Sequence, residues 1–403
     1  MSTGLDEGEF PSGWESLSLS DVCLNVSKID PLDLGRNEFK YIDIGSIDSS
    51  TNSVGSPQLL KVENAPGRAR QLVRSGDSVF STVRPYLRNI AYVDENLDGE
   101  IASTGFCVLR PNQSKVLPRF IRFFSISDNL LEQVLPLQRG VSYPAVRDKE
   151  VLSTKILVPP QDEQEKIVEI LGAQLSRLDA ALASVRAVRE KSGRLRRSLL
   201  NAAFTGALTG ADSENSNTDV RVSVFEDLFD LISNDRRQVK QKDYKKSGRF
   251  PVVDQGEETV GGFIDDGDLL FDGALPVIVF GDHTRRFKFI DFPFVVGADG
   301  TKLIQCKEVV LPRYGFYHLE AADFRNRGYA RHFGELKKVM FWLPSIQLQE
   351  KIVEILEEQF LRLEASLAVA DVIEKKALAL RRSLLHAAFT GNLTKEWREG
   401  AHV

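Results

Sequence analysis

The side chains in this sequence best suited to chemistry are arginines, accompanied by hydroxyl and aromatic groups, in segments next to strand-like apolar runs. In the first part of the chain these segments are FSTVRPYLRN (80–89) and LQRGVSYPAVRDK (137–149). Arginine donates paired hydrogen bonds to guanine or phosphate, and hydroxyl groups contact both bases and backbone. The candidate DNA-contacting residues here are Ser81, Thr82, Arg84, Tyr86, Arg88, Arg139, Ser142, Tyr143 and Arg147.

Both kinds of segment recur in the later part of the chain. FGDHTRRFK (280–288) again follows a strand-like run, FRNRGYARHF (324–333) again precedes a long helical segment, and GADGTKL (297–303) lies between them. For any single residue a solvated charge or a turn contact is the alternative, but the recurrence favours a nucleic-acid surface. DRRQVKQKDYKKSGR (235–249) fits a phosphate contact and a solvated loop equally well. The candidates in this part are His283, Thr284, Arg285, Arg286, Lys302, Arg327, Tyr329, Arg331 and His332.

Motifs for catalysis are missing from the sequence. It contains no GxxxxGK[ST] phosphate loop, no HExxH, no CxxC and no GxSxG, and its five histidines are scattered. We therefore expect no catalytic residue, no metal site and no cofactor in this chain. Two-metal nucleases use scattered carboxylates, so an unrecognised metal-dependent nuclease is kept as an alternative.

A long repeat must position these segments. Residues 159–209 align without a gap to residues 344–394, and 29 of the 51 positions are identical. The match is strongest at its end, where RRSLLNAAFTGALT and RRSLLHAAFTGNLT differ at two positions. A gap-free repeat of this length predicts the same structural element twice.

Each copy has the apolar spacing of a long helix. Leucines or phenylalanines recur three or four residues apart, which places one apolar stripe along one side of a helix and suits pairing with a second helix. We predict helices over about 159–205 and 344–390, ended by the glycines that follow AAFT. The alternative is two unrelated surface helices. The predicted seam residues are Leu171, Leu175, Leu178, Leu182, Leu356, Phe360, Leu363 and Leu367.

Length, net charge, cysteine content and the absence of long apolar runs limit the class of protein. The chain has 403 residues, enough for two domains, and a net charge of −5, which argues against a non-specific nucleic-acid coat. Its three cysteines are far apart, it begins with an acidic polar segment rather than a signal peptide, and no apolar run is long enough to span a bilayer. We expect a cytoplasmic protein.

The quoted repeat, together with PSGWE (11–15), VFGDHTRRFKF (279–289) and GADGTKL, resembles the specificity subunit of type I restriction–modification enzymes over nearly the whole length. The resemblance implies an α+β fold with two globular target-recognition domains separated by two long antiparallel, coiled-coil-like helices, in a pseudo-two-fold arrangement. The implied divisions are residues 1–158 and 220–343 for the recognition domains, 159–210 and 344–394 for the helices, 211–219 for a linker and 395–403 for a tail.

The resemblance also implies a function and partners. Each domain would read one half of an asymmetric bipartite site in double-stranded DNA, and the helices would set the spacing and dock two copies of an adenine methyltransferase (modification) subunit. Restriction (motor–nuclease) subunits would join outside, with S-adenosylmethionine, ATP and Mg²⁺ in the partner subunits only. A coiled-coil protein–protein scaffold that reads no DNA is the alternative from a different class.

Overall fold

The computed structural model describes residues 10–209, 221–233, 238–298, 300–326, 328 and 330–400. The chain divides into two compact units, of which unit 1 comprises Met1–Val185 and Asp371–Val403 and unit 2 comprises Arg186–Ala370. Each unit therefore contains one module of strands and short helices, the first half of one long helix and the second half of the other. The linker predicted over 211–219 lies outside the described residues.

Module 1 is the part of unit 1 that precedes the first long helix. Its elements are β1 (Glu15–Ser18), α1 (Leu19–Val22), β2 (Cys23–Leu24), β3 (Glu38–Ile42), β4 (Ile47–Asp48), β5 (Ser53–Val54), β6 (Gln58–Lys61), β7 (Ala69–Leu72), β8 (Ser78–Ser81), β9 (Ile90–Tyr92), β10 (Ile101–Ser103), β11 (Phe106–Pro111), α2 (Pro118–Ser125), α3 (Asp128–Val134), α4 (Asp148–Leu152) and β12 (Lys155–Val158). The first long helix, α5 (Gln161–Phe204), follows two prolines.

Module 2 is the corresponding part of unit 2. Its elements are β13 (Arg221–Val224), α6 (Phe225–Leu228), β14 (Phe229–Ile232), β15 (Phe250–Val253), β16 (Gly262–Ile264), β17 (Val277–Gly281), β18 (Phe287–Ile290), β19 (Val295–Val296), β20 (Thr301–Cys306), α7 (Pro312–Ala321), α8 (Phe333–Leu336) and β21 (Met340–Leu343). The second long helix, α9 (Ile346–Phe389), and a short helix, α10 (Lys395–Gly400), complete the chain.

The two modules share a central strand order although their sequences differ, and in module 1 the same sheet continues into β5 and β4. Antiparallel strands run in the order β2-β11-β8-β9 in module 1 and β14-β20-β17-β18 in module 2. A second sheet contains the parallel pair β3–β10 in one module and β15–β19 in the other, and β1–β12 corresponds to β13–β21. Consequently the β8–β9 hairpin of module 1 and the β17–β18 hairpin of module 2 occupy equivalent places.

The predicted long helices are confirmed, with bounds within two residues of those expected. Both end in the same way, because Gly206 and Gly391 take positive φ angles of 82° and 77°. The N–H of the leucine two residues after each glycine donates to a carbonyl six residues earlier in the chain. Only glycine adopts this conformation at low cost, so the repeated glycine ends each helix at Phe204 or Phe389.

Within each unit, the start of one long helix packs beside the end of the other. In unit 1, Leu171 and Leu175 share a core with Leu385 and Phe389. The Arg381 guanidinium on α9 donates a hydrogen bond of 2.5 Å to the Asp179 carboxylate on α5. Because low numbers on α5 meet high numbers on α9, the helices are antiparallel in this unit.

Unit 2 repeats the arrangement with the helices exchanged. Leu356 and Phe360, near the start of α9, share a core with Leu200 and Ala203 at the end of α5. Of the other predicted seam residues, Leu178 and Leu363 are partly buried against the cores of units 1 and 2, Leu182 is at the edge of burial and Leu367 is half-buried. Sequence reasoning missed the helix ends, namely Leu200, Ala203, Leu385, Ala388 and Phe389, as partners of the stripe.

A buried glutamine fixes each module to its helix. The side-chain amide of Gln164 donates to the carbonyls of Lys115 and Pro159, and its oxygen accepts the N–H of Leu117, the residue before α2. Gln349 makes the same three bonds in unit 2, to Val309, Pro344 and Leu311. One repeated residue thus sets the start of the long helix against the start of the module's own helix.

Candidate nucleic-acid interface

Two loops of module 1 lie side by side. We call residues 82–89, between β8 and β9, the hairpin loop, and residues 138–147, which lead into α4, the pre-helix loop. They are joined by a β-bridge between Val83 and Ala145 and by a 2.9 Å bond from Val146 N–H to the Thr82 carbonyl. The structure therefore brings together the two segments of module 1 that the sequence singled out separately.

The first two candidates, at the end of β8 and the start of the hairpin loop, support this loop from inside. Ser81 and Thr82 are buried, and their hydroxyls donate to the carbonyls of Val83 and Gly105 at 2.8 and 2.9 Å. In this conformation their side chains hold the loop and do not face solvent. Arg88 also makes an internal contact, an ion pair with Asp128 at the start of α3. Tyr86 is exposed.

The candidates of the pre-helix loop are mostly exposed. Ser142 and Arg147 are exposed, and Arg139 is an exposed side chain whose guanidinium lies 2.9 Å from Glu150. The pKa of Glu150 is lowered, first because the Arg147 N–H donates to its carboxylate and then because Arg139 lies nearby. Arg139 is the exposed member of this pair, so its guanidinium stays accessible to solvent and the pair contributes little to stability.

Module 2 joins its two loops through a different residue. Its hairpin loop is residues 282–286, and its pre-helix loop is the described part of the segment before α8, namely residues 322–326, 328 and 330–332. The Asp282 carboxylate accepts the N–H groups of His332 and Phe333, both at 2.8 Å, and His332 is fully buried with its ring nitrogen 2.9 Å from the Asp282 carbonyl. His332 therefore belongs to the support of the loops, and Asp282 is a supporting residue that the sequence pattern did not indicate.

The remaining candidates of this hairpin loop lie at or near its surface. Thr284 is exposed but its hydroxyl donates to the Gln255 carbonyl at 2.8 Å, and the His283 N–H donates to the Gln255 side chain. Arg286 is exposed and lies 2.9 Å from Glu257. Gln255, which follows β15, was also missed, because nothing in its local sequence places it beside this loop.

Three other candidates have separate positions. Lys302 is half-buried within β20, and Arg331 is exposed in the pre-helix loop. Arg327 and Tyr329 lie outside the described residues. The contacts of these residues with DNA stay predictions.

A buried lysine supports the module 2 hairpin from below. The ammonium of Lys288, on β18, donates to the carbonyls of Asp254 and Glu258 at 2.7 and 2.5 Å and lies 3.7 Å from the Asp254 carboxylate. Burial lowers the pKa of Lys288 against the opposing effect of Asp254. The phenol of Tyr244 donates to Asp254 at 3.2 Å, and its pKa is raised by burial and by that carboxylate.

Two further properties hold for the described part of the chain. Among those residues no group of three or more histidine, cysteine or carboxylate side chains is arranged to hold a metal ion. None of the helices in the same residues is long and apolar enough to cross a membrane.

Comparison with known proteins places this geometry in a family. Residues 11–183 match the family model described as the type I restriction modification DNA specificity domain. The EcoKI specificity subunit of Escherichia coli K12 is 27% identical over 448 residues, which cover 98% of this chain and 92% of that protein. The HindI specificity subunit of Haemophilus influenzae is 28% identical over 162 residues, which cover 40% of this chain and only 35% of that protein.

Solved structures agree. A chain from a study of complex assembly and conformational transition in a type I restriction–modification system superposes with a TM-score of 0.75 at 25% identity, covering 96% of this chain and all of that one. The HsdS subunit from Thermoanaerobacter tengcongensis gives 0.53 at 26% identity, covering 96% and 99%. These matches support a specificity subunit of a type I restriction–modification system.

These matches confirm the resemblance seen in the repeated helices, the α+β fold and the role in DNA sequence specificity. Specificity subunits are the non-catalytic, DNA-recognising members of restriction–modification complexes. The family match covers module 1 and the first half of α5, while the relatives and structures extend over both modules.

Proposed function

We propose that modules 1 and 2 are target-recognition domains, over residues 1–158 and 220–343, and that each reads one half of an asymmetric bipartite DNA site. The observation that supports this most is the shared strand order. Two modules with the same central strand order present a hairpin loop and a pre-helix loop at equivalent places, yet with different side chains. Equivalent loops suit two equivalent approaches to a duplex, and different side chains suit two different half-sites.

The exposed loop residues are the proposed DNA contacts. In module 1 they are Tyr86, Arg139, Ser142, Tyr143 and Arg147, and in module 2 they are Thr284, Arg286 and Arg331. The arginines among them suit the base edges of the major groove and the phosphates. Ser81, Thr82 and His332 support this surface from within the protein instead.

We further propose that the repeated helices dock two copies of an adenine methyltransferase subunit. A repeat that recurs in sequence, in helix bounds and in the Gln164 and Gln349 bonds offers one partner two near-equivalent surfaces. Restriction subunits would join outside, and S-adenosylmethionine, ATP and Mg²⁺ would bind to these partners. A measured mass of the modification complex tests the number, with two methyltransferase copies expected and one copy contradicting the proposal.

The helices are also proposed to set the number of unread base pairs between the half-sites. Inserting four residues into both helices, after Val185 and after Ala370, adds about 6 Å of helix to each. The unread gap should lengthen by one or two base pairs of about 3.4 Å each, while the bases that are read stay the same. Methylome sequencing measures both, and an unchanged gap would contradict the spacing role.

A module exchange tests the function itself. Replacing residues 1–158 with the corresponding module of another specificity subunit should change one half of the methylated motif in host DNA and leave the other half unchanged. The matched control replaces residues 220–343 and should change the opposite half. If either exchange alters both halves, the modules do not read independently.

A further inference from the structure

Two arginines of the hairpin loops have an unusual backbone. Arg84 in module 1 and Arg285 in module 2 have φ angles of 48° and 60°. Residues with a Cβ avoid this region because that atom approaches the following carbonyl oxygen. Among described non-glycine residues only Asn52 and Arg88 share it. Backbone strain of this kind persists where the surrounding structure fixes a conformation that function uses.

The side chains of these arginines make matching contacts. The Arg84 guanidinium lies over the ring of Tyr143 at 4.7 Å, and that of Arg285 lies over Phe324 at 4.5 Å. Each ring belongs to the pre-helix loop of the same module. One Nη2 group donates to the Ser142 carbonyl at 3.3 Å and the other donates to the Phe324 carbonyl at 2.8 Å.

This geometry limits what the two guanidinium groups can recognise. The Nε atoms of Arg84 and Arg285 are both buried without a hydrogen-bond partner, and both Nη2 groups are engaged within the protein. Arginine recognises guanine through two parallel donors on one edge of its plane. The edge formed by Nε and Nη2 faces the protein in both modules, so it is closed to a base.

We propose that Arg84 and Arg285 are positioning residues, which hold the hairpin loop and the pre-helix loop of each module together as one DNA-reading surface. The bases are then read by the exposed neighbours, and the two arginines act through them. This inference rests on the proposed function of the modules. It is supported by the same strained backbone, ring contact and carbonyl contact in two modules of different sequence.

The two arginines restrain different loops. Tyr143 is 72% exposed, whereas Phe324 is 8% exposed and belongs to the core of unit 2. Removing the Arg84 side chain therefore frees the pre-helix loop of module 1, because its ring has little other support. Removing the Arg285 side chain frees the hairpin loop of module 2, because its ring stays in the core.

Hydrogen exchange of the full chain without DNA tests the restraint itself. Arg84→Ala and Arg84→Lys should both raise exchange in residues 139–146, since lysine lacks the planar group that stacks and donates together. Arg285→Ala and Arg285→Lys should raise exchange in residues 282–286. Unchanged exchange in these loops would overturn the proposal, and the lysine variants keep the test open should an alanine variant unfold.

DNA binding separates positioning from direct contact. With the full chain in its modification complex, a randomised-site library gives the preference at each base pair, and a salt titration gives the number of phosphates contacted. Arg84→Ala should lower discrimination about tenfold, spread over every base pair of one half-site, with the salt dependence of wild type. The Arg84→Lys complex should discriminate between bases as poorly as the Arg84→Ala complex. The double variant Arg84→Ala/Tyr143→Ala should lose no more discrimination than the single variant with the larger loss.

Three results overturn the positioning role or its basis. Loss of preference at a single base pair would make Arg84 a base reader. A lower salt slope, with rescue by Arg84→Lys, would make it a phosphate contact. If the wild-type complex shows no sequence preference in either half-site, the proposed function of the modules fails, and the exchange data then stand as evidence about the loops alone.

Discussion

The ends of the two long helices pack against the modules in matching ways, with one chemical difference. Phe389 ends α9 and lies edge-on to Phe120 and Phe124 of α2, at 5.2 and 5.1 Å. Its repeat partner Phe204 ends α5 and lies edge-on to Tyr314 and His318 of α7, at 5.3 and 4.2 Å. Each long helix contributes a phenylalanine to its junction. The modules contribute two phenylalanines in unit 1, but a tyrosine and a histidine, which can titrate, in unit 2.

A second difference lies at the starts of the same helices. Glu163 is buried and accepts hydrogen bonds from Trp14 at 2.9 Å and Thr394 at 2.5 Å, and it forms an ion pair with Arg398. Its repeat partner Leu348 packs on the core of unit 2. A buried carboxylate needs several donors at once, whereas a leucine needs only apolar neighbours. Both copies of the repeat therefore form the same kind of junction, but only the first copy holds the C-terminal segment through polar contacts. We call the contacts of Glu163 with Trp14, Thr394 and Arg398 the Glu163 clasp.

The largest effect should come from the stripe itself, where the two units are most alike. Leu171 and Leu356 occupy the same repeat position and are both fully buried. Leu171→Asp and Leu356→Asp should each cost about 4 kcal/mol, since each places a charge in an apolar core. Denaturant unfolding gives the loss, and hydrogen exchange should show it mainly in the unit that contains the substitution.

The matched controls are Leu178→Asp and Leu363→Asp, at stripe positions that are only partly buried. They should cost less than Leu171→Asp and Leu356→Asp. Even so, a double mutant Leu178→Asp/Leu363→Asp that melts at the wild-type temperature would contradict the packed-helix interpretation.

The Glu163 clasp should give the next largest effect. Arg398→Ala leaves a buried carboxylate without its counter-charge and should cost unit 1 about 3 kcal/mol. Glu163→Gln/Arg398→Ala should recover part of this, because the neutral amide needs no counter-ion and keeps an acceptor for Trp14. Chemical denaturation of both variants checks the order, and equal losses would show that the charge is not what matters.

Acid should destabilise unit 2 through His318. Burial lowers the pKa of His318 to about 3, and its Nε2 accepts the Trp342 N–H at 3.3 Å, which requires the neutral ring. A histidine with a depressed folded pKa contributes stability above its unfolded pKa of about 6.5, and this is lost as the pH falls from there toward 3. The loss should reach about 2 kcal/mol at pH 5.

Exchanging the aromatic residues sharpens this comparison. His318→Phe should make the acid response of unit 2 resemble that of unit 1, and Phe124→His should confer acid sensitivity on unit 1. Stability against pH, followed by hydrogen exchange in each unit, is the measurement. An unaltered acid response in His318→Phe would assign the effect to other groups.

The smallest loss of stability should come from replacing the two buried glutamines, which make the same hydrogen bonds in both units. Gln164→Leu and Gln349→Leu each leave one N–H and two carbonyls without their shared partner, which should cost roughly 1–2 kcal/mol. Because the bonds match in both units, the two losses should be equal. Thermal unfolding of both variants tests this, and a clear inequality would mean that the repeated residue has different roles in the two copies.

Much of the fold was predictable from local sequence, because helices depend on near neighbours. The three- and four-residue spacing of leucines and the glycine after AAFT predicted both helices, and the structure ends them at Phe204 and Phe389. The candidate loops were predictable as polar segments after strands. Their mutual contact was not, because residues 82–89 and 138–147 meet only through the fold of the sheet between them.

The roles of individual arginines show the same limit. Arg84, Arg88 and Arg286 look alike in the sequence, but the structure stacks the first on Tyr143, pairs the second with Asp128 and leaves the third at the surface beside Glu257. Composition identifies a basic loop. Which of its atoms stay available for DNA depends on neighbours that are distant in sequence.

The sequence by itself determined that this chain carries one helix twice and that two different modules precede the copies. Those properties follow from periodicity and from repetition, which are local and additive. The tertiary structure alone decided that each helix end packs in the unit of the other module, that Glu163 is a buried clasp where Leu348 is a core residue, and that Arg84 and Arg285 stack on rings of the pre-helix loops. The physical reason is that burial and hydrogen-bond partnership belong to pairs of residues, and such pairs form only when distant segments are brought together.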